Sequence, residues 1–165
     1  MCGSGEMARY SDVAALLKAL GIKIEGDDLR NRLVVQKVVY LAQACFGLDL
    51  GYKFKWYSRG PYSRGLGREF GRIVKSMDSG GGELEWGRVG EMRMFIDRLR
   101  RIGDDEAEVL EIAASLAMLC RDIYPPVQDP VAELLRRKGF LKKEVVGRVW
   151  EVVRSVCCLG TGGEH

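Results

Sequence analysis

The longest apolar pattern in the sequence lies between residues 29 and 46, and it predicts one central helix. At about 100° per residue, apolar side chains cover nearly the whole circumference of this segment, as they do in a helix surrounded by other elements. They are Leu29, Leu33, Val34, Val35, Val38, Val39, Leu41, Ala42, Cys45 and Phe46. The one polar strip, Arg32, Gln36 and Gln43, predicts either a buried hydrogen-bond network or a contact surface. Burial is favoured because carboxamides inside a domain usually bond to backbone groups.

The next segment predicts an aromatic strand. Aromatic side chains alternate with more polar positions along residues 52–57, which is the period of a half-buried strand with its aromatics inward. Gly60-Pro61 is a turn pair, so the strand is expected to end there. Residues 83–86 predict a strand that returns beside it, and residues 22–25 predict a short edge strand.

A helix with two different faces is predicted after the turn, and Ser63 is a suitable residue to cap it. Apolar side chains share one face of this helix: Leu66, Phe70, Ile73, Val74 and Met77. Basic side chains share the opposite face, within about 80° of one another. They are Arg64, Arg68, Arg72 and Lys75. This basic stripe is the sharpest local pattern of charge in the chain.

Further helices are predicted on both sides of this region. The first covers about residues 11–20, and four more follow Gly87. We therefore expect a mostly α, α+β fold: a single compact helical domain of about six or seven helices around the central apolar helix, with a small two- or three-stranded antiparallel sheet. The domain would cover residues 11–158, between a flexible N-terminal prefix at residues 1–10 and a flexible tail at residues 159–165.

The composition is that of an ordinary globular protein, with 47% apolar and 30% charged residues. No apolar run approaches the roughly 20 residues that a membrane span needs, and the first residues lack the basic and then apolar pattern of a signal peptide. We therefore expect a cytoplasmic protein without a membrane partner. The abundance of arginine and acidic residues also favours a heat-stable protein.

The five cysteines and the single histidine, the final residue, form no spacing typical of a metal site. Cys45 and Cys120 lie on apolar helical faces and are expected to be buried free thiols. Cys157 and Cys158 are expected at a frayed helix end, with one thiol inside and one outside, and a redox-active pair is the alternative. We expect neither a metal nor a cofactor.

Charge is distributed along the chain in blocks. Residues 51–77 carry seven basic side chains and one acidic side chain, residues 104–133 carry one basic and eight acidic, and residues 134–165 carry seven basic and three acidic. The formal net charge is only +3. Local surfaces are therefore expected to matter more to a partner than the net charge does.

The string LVVQKVVYLAQ at residues 33–43 and the string LGYKFKWYSRGPYSRGL at residues 50–66 resemble the YwgA-like family of small bacterial and archaeal proteins. The turn motif of that family falls on Tyr57, Gly60, Pro61, Tyr62 and Ser63. More distantly, the same segments are similar to the Panacea domain of SocA-type antitoxins, whose motifs fall on Gln36, Lys37, Tyr40, Gln43, Trp56, Gly60 and Pro61. The resemblance implies an α-helical domain with a small sheet and a non-enzymatic role as an antitoxin or adaptor that holds another protein, such as a toxin.

These patterns favour a protein-interaction module that binds its partner through a basic surface. The surface would combine Arg59, Tyr62, Arg64, Arg68, Arg72 and Lys75. It lies at a strand end and a helix N-terminus, where guanidinium groups and backbone N–H groups both favour anions. A purely structural alternative is that Pro61 fixes the turn and Ser63 caps the helix. Blocks of opposite charge would also permit self-association into a homo-oligomer.

Nucleic-acid binding is the alternative function. A second basic cluster lies between the last two predicted helices, which together resemble a helix-turn-helix. It contains Arg136, Arg137, Lys138, Lys142 and Lys143. The acidic block at residues 104–133 opposes this interpretation. An enzyme is disfavoured, because the sequence has no internal histidine and no phosphate-binding loop motif.

Overall fold

The computed structural model describes residues 2–80, 82–123 and 127–158, the first seven of them by backbone alone. These ranges contain eight α-helices and two strands. In chain order the elements are α1 (Cys2–Ala19), α2 (Leu29–Phe46), β1 (Lys55–Tyr57), β2 (Gly60–Tyr62), α3 (Arg64–Arg68), α4 (Phe70–Asp78), α5 (Val89–Arg100), α6 (Glu106–Arg121), α7 (Pro130–Arg137), α8 (Lys143–Val153) and a π-helical turn (Arg154–Cys158). The predicted mostly α fold with a small sheet is confirmed.

Helix α2 occupies the centre of the molecule, as its apolar circumference predicts. The side chain of Asp28 accepts a 2.8 Å hydrogen bond from the backbone N–H of Asn31, which caps the first turn. Gly47, with φ of 73°, ends the helix in the left-handed conformation that suits glycine. Every residue from Leu33 to Ala42 is buried, and α2 packs most extensively against α6. These two helices form the middle of a core that extends from Val13 to Cys157.

Helix α1 is longer than the sequence predicts. It begins at Cys2, so residues 2–10, which were expected to form a flexible prefix, are helical. Glycine and serine near its start are weak helix formers, which is why the local pattern indicates a later beginning. Gly21, with φ of 71°, follows the last turn as predicted. The predicted flexible tail at residues 159–165 lies outside the described residues.

The sheet is a single antiparallel hairpin, in which Trp56 lies opposite Pro61 and Tyr57 lies opposite Gly60. Ser58 and Arg59 form its turn, so the prediction that Gly60-Pro61 makes the turn was wrong by two residues. Proline is tolerated in β2 because its missing N–H would lie on the outer edge of a two-stranded sheet. The strands predicted at residues 22–25 and 83–86 are absent from the described structure. These segments form no regular secondary structure, and their apolar side chains pack in or against the core.

The helix predicted after the hairpin is broken into α3 and α4 at Glu69. Ser63 caps α3 as predicted, since its Oγ accepts a 3.2 Å hydrogen bond from the N–H of Leu66. The apolar face is also confirmed, with Phe70 and Ile73 fully buried. The Glu69 carboxylate accepts hydrogen bonds from the Arg9 guanidinium and the Tyr52 hydroxyl, contacts that fix the break in place.

The two adjacent cysteines near the C-terminal end of the described chain form disulfides with two different helices. Cys157 pairs with Cys45 of α2, and Cys158 pairs with Cys120 of α6. The prediction of free buried thiols at Cys45 and Cys120 was therefore wrong, and the adjacent pair forms two disulfides where a frayed helix end with one thiol inside and one outside was expected. Sequence spacing could not reveal the pairing, because α8 and the π-helical turn bring together residues 112 and 38 positions apart.

Candidate binding groove

The polar strip of α2 holds the backbone of the segment that contains the hairpin. Gln36 Nε2 donates to the Ser63 carbonyl at 2.9 Å, and its Oε1 accepts from the Ser63 N–H at 2.7 Å. Gln43 makes the same pair of bonds with Tyr52, at 3.0 and 3.1 Å. The predicted buried hydrogen-bond network is therefore present, and it fixes the two ends of the hairpin segment to the central helix.

Arg32 extends this network to α3, because its Nη1 donates to the Gly67 carbonyl at 3.4 Å. The same guanidinium lies 4.7 Å above the Phe70 ring and pairs with the Asp27 carboxylate at the start of α2. Each carboxamide or guanidinium of the strip thus meets a backbone group of the segment 52–67. These side chains therefore serve to hold that segment against α2.

Lys37 lies one residue after Gln36 and is fully buried. Its Nζ donates a 2.6 Å hydrogen bond to the Pro61 carbonyl. Burial lowers the pKa of its ammonium to about 8, while Glu111 raises this pKa and Lys138 and Arg59 lower it further. This bond fixes β2 against α2.

Gly60 is required at its position by the close approach of β2 to α6. Its φ is 87°, and a Cβ built on it would lie 2.5 Å from the Ser115 Oγ. That hydroxyl is buried and is the one buried side-chain polar atom of the described residues without a hydrogen-bond partner. Lys37 and Ser115 are both fully buried.

Tyr40 and Trp56, the remaining motif residues, contribute to a cavity of about 580 Å³ on one side of β1, which we call the aromatic cavity. It is lined by seven apolar or aromatic residues, Tyr40, Ala44, Tyr52, Phe54, Trp56, Met118 and Ile123, and by four polar or charged ones, Gln43, Lys55, Arg121 and Asp122. The Tyr40 hydroxyl donates to the Asp122 carboxylate, and burial together with this bond raises the pKa of the phenol. The Tyr40 and Phe54 rings meet edge to face with centroids 5.3 Å apart. The cavity is therefore built on a fixed aromatic floor.

A second cavity of about 410 Å³ lies beside β1, and we call it the basic groove. It is lined by Arg9, Gly51, Tyr52, Lys53, Lys55, Tyr57, Tyr62, Ser63, Arg64 and Gly65. Four of these side chains are cationic and none is anionic. Tyr57 and Tyr62 meet edge to face with centroids 5.7 Å apart and provide an aromatic wall. The groove can therefore hold an anionic group beside a flat apolar one.

The position of Arg9 is fixed by contacts with Tyr52 and Glu69. Its guanidinium lies 4.1 Å above the Tyr52 ring and 3.3 Å from the Glu69 carboxylate. Burial, followed by the hydrogen bond to Glu69, raises the pKa of the Tyr52 hydroxyl. Lys53, Lys55 and Arg64 are exposed and form no ion pair among the described residues. Three cations of the groove are therefore available to a ligand.

The structure brings together only part of the predicted basic surface. Tyr62 and Arg64 line the basic groove, whereas Arg59 lines a different cavity with Leu29 and Phe140. The other three predicted residues, Arg68, Arg72 and Lys75, are exposed on α3 and α4. The expected contribution of a helix N-terminus is small, because α3 has only five residues and its dipole is correspondingly weak.

Three cations of the groove were not predicted as site residues. Lys53 and Lys55 alternate with the aromatic residues of β1, and both belong to the basic block of residues 51–77. Their alternation was a signal that they share the exposed face of the strand. No local sequence pattern pointed to Arg9 as a groove residue. Arg9 is 42 positions from Gly51 in the sequence and reaches the groove only through the packing of α1.

The second predicted basic cluster is not a continuous exposed patch. Lys138 is buried and donates to the Glu111 carboxylate of α6. Arg136 and Arg137 both pair with Glu133, and together they lower the pKa of that carboxyl to about 2. Arg137 also lies 5.0 Å above the Trp56 ring. The prediction that Lys138 belongs to an exposed patch was wrong, because an acidic side chain of α6 lies within reach. The remaining members of the cluster, Lys142 and Lys143, are exposed.

No family model, curated protein or solved structure matches this chain. Within residues 2–80, 82–123 and 127–158, no helix is both long and apolar enough to cross a membrane. In the same ranges, no three histidine, cysteine, aspartate or glutamate side chains lie close enough together to hold a metal ion.

Proposed function

We propose that this protein is a non-enzymatic protein-interaction module that binds an acidic segment of a partner in the basic groove. The observation that supports the proposal is the lining of the groove, with four cationic side chains, two tyrosine rings and no acidic side chain. Guanidinium and ammonium groups form charge-assisted hydrogen bonds with carboxylates, and neighbouring aromatic rings add contact area at low entropic cost. This groove replaces the predicted binding surface and retains its Tyr62 and Arg64.

The non-enzymatic character is supported by what the motif residues contact. Gln36, Gln43 and Lys37 each donate a hydrogen bond to a backbone carbonyl of the hairpin segment, and Gln36 and Lys37 are buried, so these side chains are used to hold the hairpin. These are the residues on which the resemblance to the YwgA-like family and the Panacea domain depends. We infer that such a motif serves to position the basic groove, in keeping with an antitoxin-like or adaptor-like role.

The proposal is tested by fluorescence anisotropy with a labelled glutamate decapeptide as the probe. We expect Lys53→Glu/Lys55→Glu to weaken binding by roughly tenfold, because two exposed charge contacts are each worth up to about 1 kcal/mol. The matched control is Lys142→Glu/Lys143→Glu, which makes the same change of net charge outside the groove. Equal loss in the two variants, or no binding by the unmodified chain, would refute the proposal.

Single-stranded nucleic acid is the second candidate ligand, because Tyr57 is 37% exposed beside Lys53 and Lys55. Bases stack on such rings while lysines contact the phosphates. A labelled twelve-nucleotide thymidine strand, measured in the same assay, separates the two candidates. Tighter binding of the strand than of the decapeptide at equal salt, with a steep loss as salt rises, would favour nucleic acid.

We also propose that the protein is cytoplasmic and heat-stable. The disulfides relate these two properties to each other. Cytoplasmic disulfides are rare in mesophiles but common in the intracellular proteins of hyperthermophiles. A cytoplasmic protein with the pairs Cys45–Cys157 and Cys120–Cys158 is therefore expected to be a heat-stable one. Thermal unfolding above about 80 °C under non-reducing conditions would support the heat stability.

A further inference from the structure

The outer edge of β1 offers free backbone groups. Tyr57 and Gly60 close a two-residue turn, so they form the hydrogen-bonded pair, and Trp56 lies in the neighbouring pair that exchanges no hydrogen bonds. The N–H and C=O groups of Trp56 therefore point away from β2. In the described chain, no hydrogen bond from another segment or side chain reaches the backbone of Phe54 or Trp56.

The two edges of the hairpin differ in this respect. The outer edge of β2 is covered by α2 and α6, and its Pro61 carbonyl accepts from Lys37. On the β1 side, Gln43 bonds the backbone of Tyr52 and no further residue of that segment. Among the described residues, the free backbone groups on this side thus belong to Trp56 of β1 and to Phe54 just before the strand. A free edge of this kind is a ready template for another extended chain.

The basic groove and the aromatic cavity lie on the two faces of this edge. Lys53 and Tyr57 line the groove, whereas Phe54 and Trp56 line the cavity, as the alternation of side chains in a strand requires. Tyr52 and Lys55 border both cavities. A chain added along the edge would therefore place successive side chains alternately beside cations and beside aromatic rings.

We propose that the partner segment binds as an extended strand along β1 and that its residues alternate between acidic and apolar. Its acidic side chains would meet the cations of the basic groove, and its apolar side chains would meet Phe54, Trp56 and the floor of the aromatic cavity. Main-chain hydrogen bonds provide affinity in strand addition, and the cavities for alternate side chains provide specificity. The inference rests on the proposed function and specifies the conformation and residue pattern of the ligand.

The first test compares two synthetic peptides of identical composition, Glu-Val-Glu-Phe-Glu-Val-Glu and Glu-Glu-Glu-Glu-Val-Phe-Val, both blocked at their ends. We expect the alternating peptide to bind at least about tenfold more tightly, since only it can use both faces of the edge. Equal affinities, with both lost in Lys53→Glu/Lys55→Glu, would overturn strand addition and leave the proposed function standing. Absence of binding by both peptides and by the glutamate decapeptide would overturn the two together.

The second test uses backbone methylation of the alternating peptide. In one variant the N-methyl groups are on the two valines and the phenylalanine. In the other variant they are on the second, third and fourth glutamates. Neighbouring amides of a strand point to opposite edges, so one variant should lose binding and the other should keep it. Equal behaviour of the two variants, whether both bind or both fail, would overturn the proposal.

Hydrogen exchange by NMR provides a readout on the protein itself. Binding of the alternating peptide should slow exchange of the Trp56 amide, which faces the free edge. The Tyr57 amide, which already pairs with Gly60, serves as the internal control. An unchanged Trp56 amide at saturating peptide would contradict strand addition.

Discussion

The buried ammonium of Lys37 predicts an unusual dependence of stability on pH. Its pKa is lowered from 10.5 to about 8 in the folded chain, mainly because burial disfavours the charged form. Between these two values, the unfolded chain binds the proton and the folded chain does not. The free energy of unfolding therefore rises with pH across this window, and below pH 8 the charged lysine destabilises the fold.

The size of the effect follows from the shift in pKa. One pKa unit corresponds to about 1.4 kcal/mol, so the full shift is worth roughly 3 kcal/mol. Between pH 7 and pH 9 the contribution of Lys37 to the free energy of unfolding should rise by roughly 1 kcal/mol, and the remainder should follow as the pH passes the ordinary lysine pKa. Glu111 opposes the shift, whereas Lys138 and Arg59 add to it.

The assay compares the unmodified chain with Lys37→Met by guanidinium unfolding at pH 7 and pH 9, followed by tryptophan fluorescence. The other titrating groups are common to both chains, so their contributions cancel in the difference. We expect the stability of the unmodified chain relative to the variant to increase by roughly 1 kcal/mol over this interval. Lys142→Met, at an exposed position, is the matched control and should show no such change. Parallel pH profiles for the unmodified chain and Lys37→Met would refute the reasoning.

Three further predictions concern the contacts that position the groove. Gln36→Leu should lower the free energy of unfolding by about 2–4 kcal/mol in chemical denaturation, because both backbone groups of Ser63 lose their partner while buried; a loss below about 1 kcal/mol would contradict this. Gly60→Ala should lower the free energy of unfolding by about 2 kcal/mol or more, because the new Cβ would clash with the Ser115 Oγ. Ser115→Ala should recover part of this loss in a double-mutant cycle, and strict additivity of the two substitutions would count against this account. Alkylation without reductant should modify at most one of the five cysteines, and reduction should lower the melting temperature by several degrees; three or more modified cysteines would disprove the disulfide pairing.

Local patterns in the sequence determined the central helix and its caps. The apolar circumference of residues 29–46, with Asp28 before it and Gly47 after it, depends on side-chain periodicity and cap chemistry, which act within a few residues. The polar strip was visible for the same reason, because the i, i+4 and i+11 positions of a helix share a face. The burial of Gln36 followed from the cost of leaving a carboxamide unsatisfied inside a domain.

Only the tertiary structure determined which residues line the basic groove and which cysteines form disulfides. Arg9 enters the groove because α1 packs against α4, and Lys138 leaves the predicted patch because α6 brings Glu111 to it. The break at Glu69 likewise depends on Arg9 and Tyr52, which are distant in sequence. Charge pairing, burial and disulfide formation depend on distances between residues far apart in the chain, and no local pattern encodes those distances.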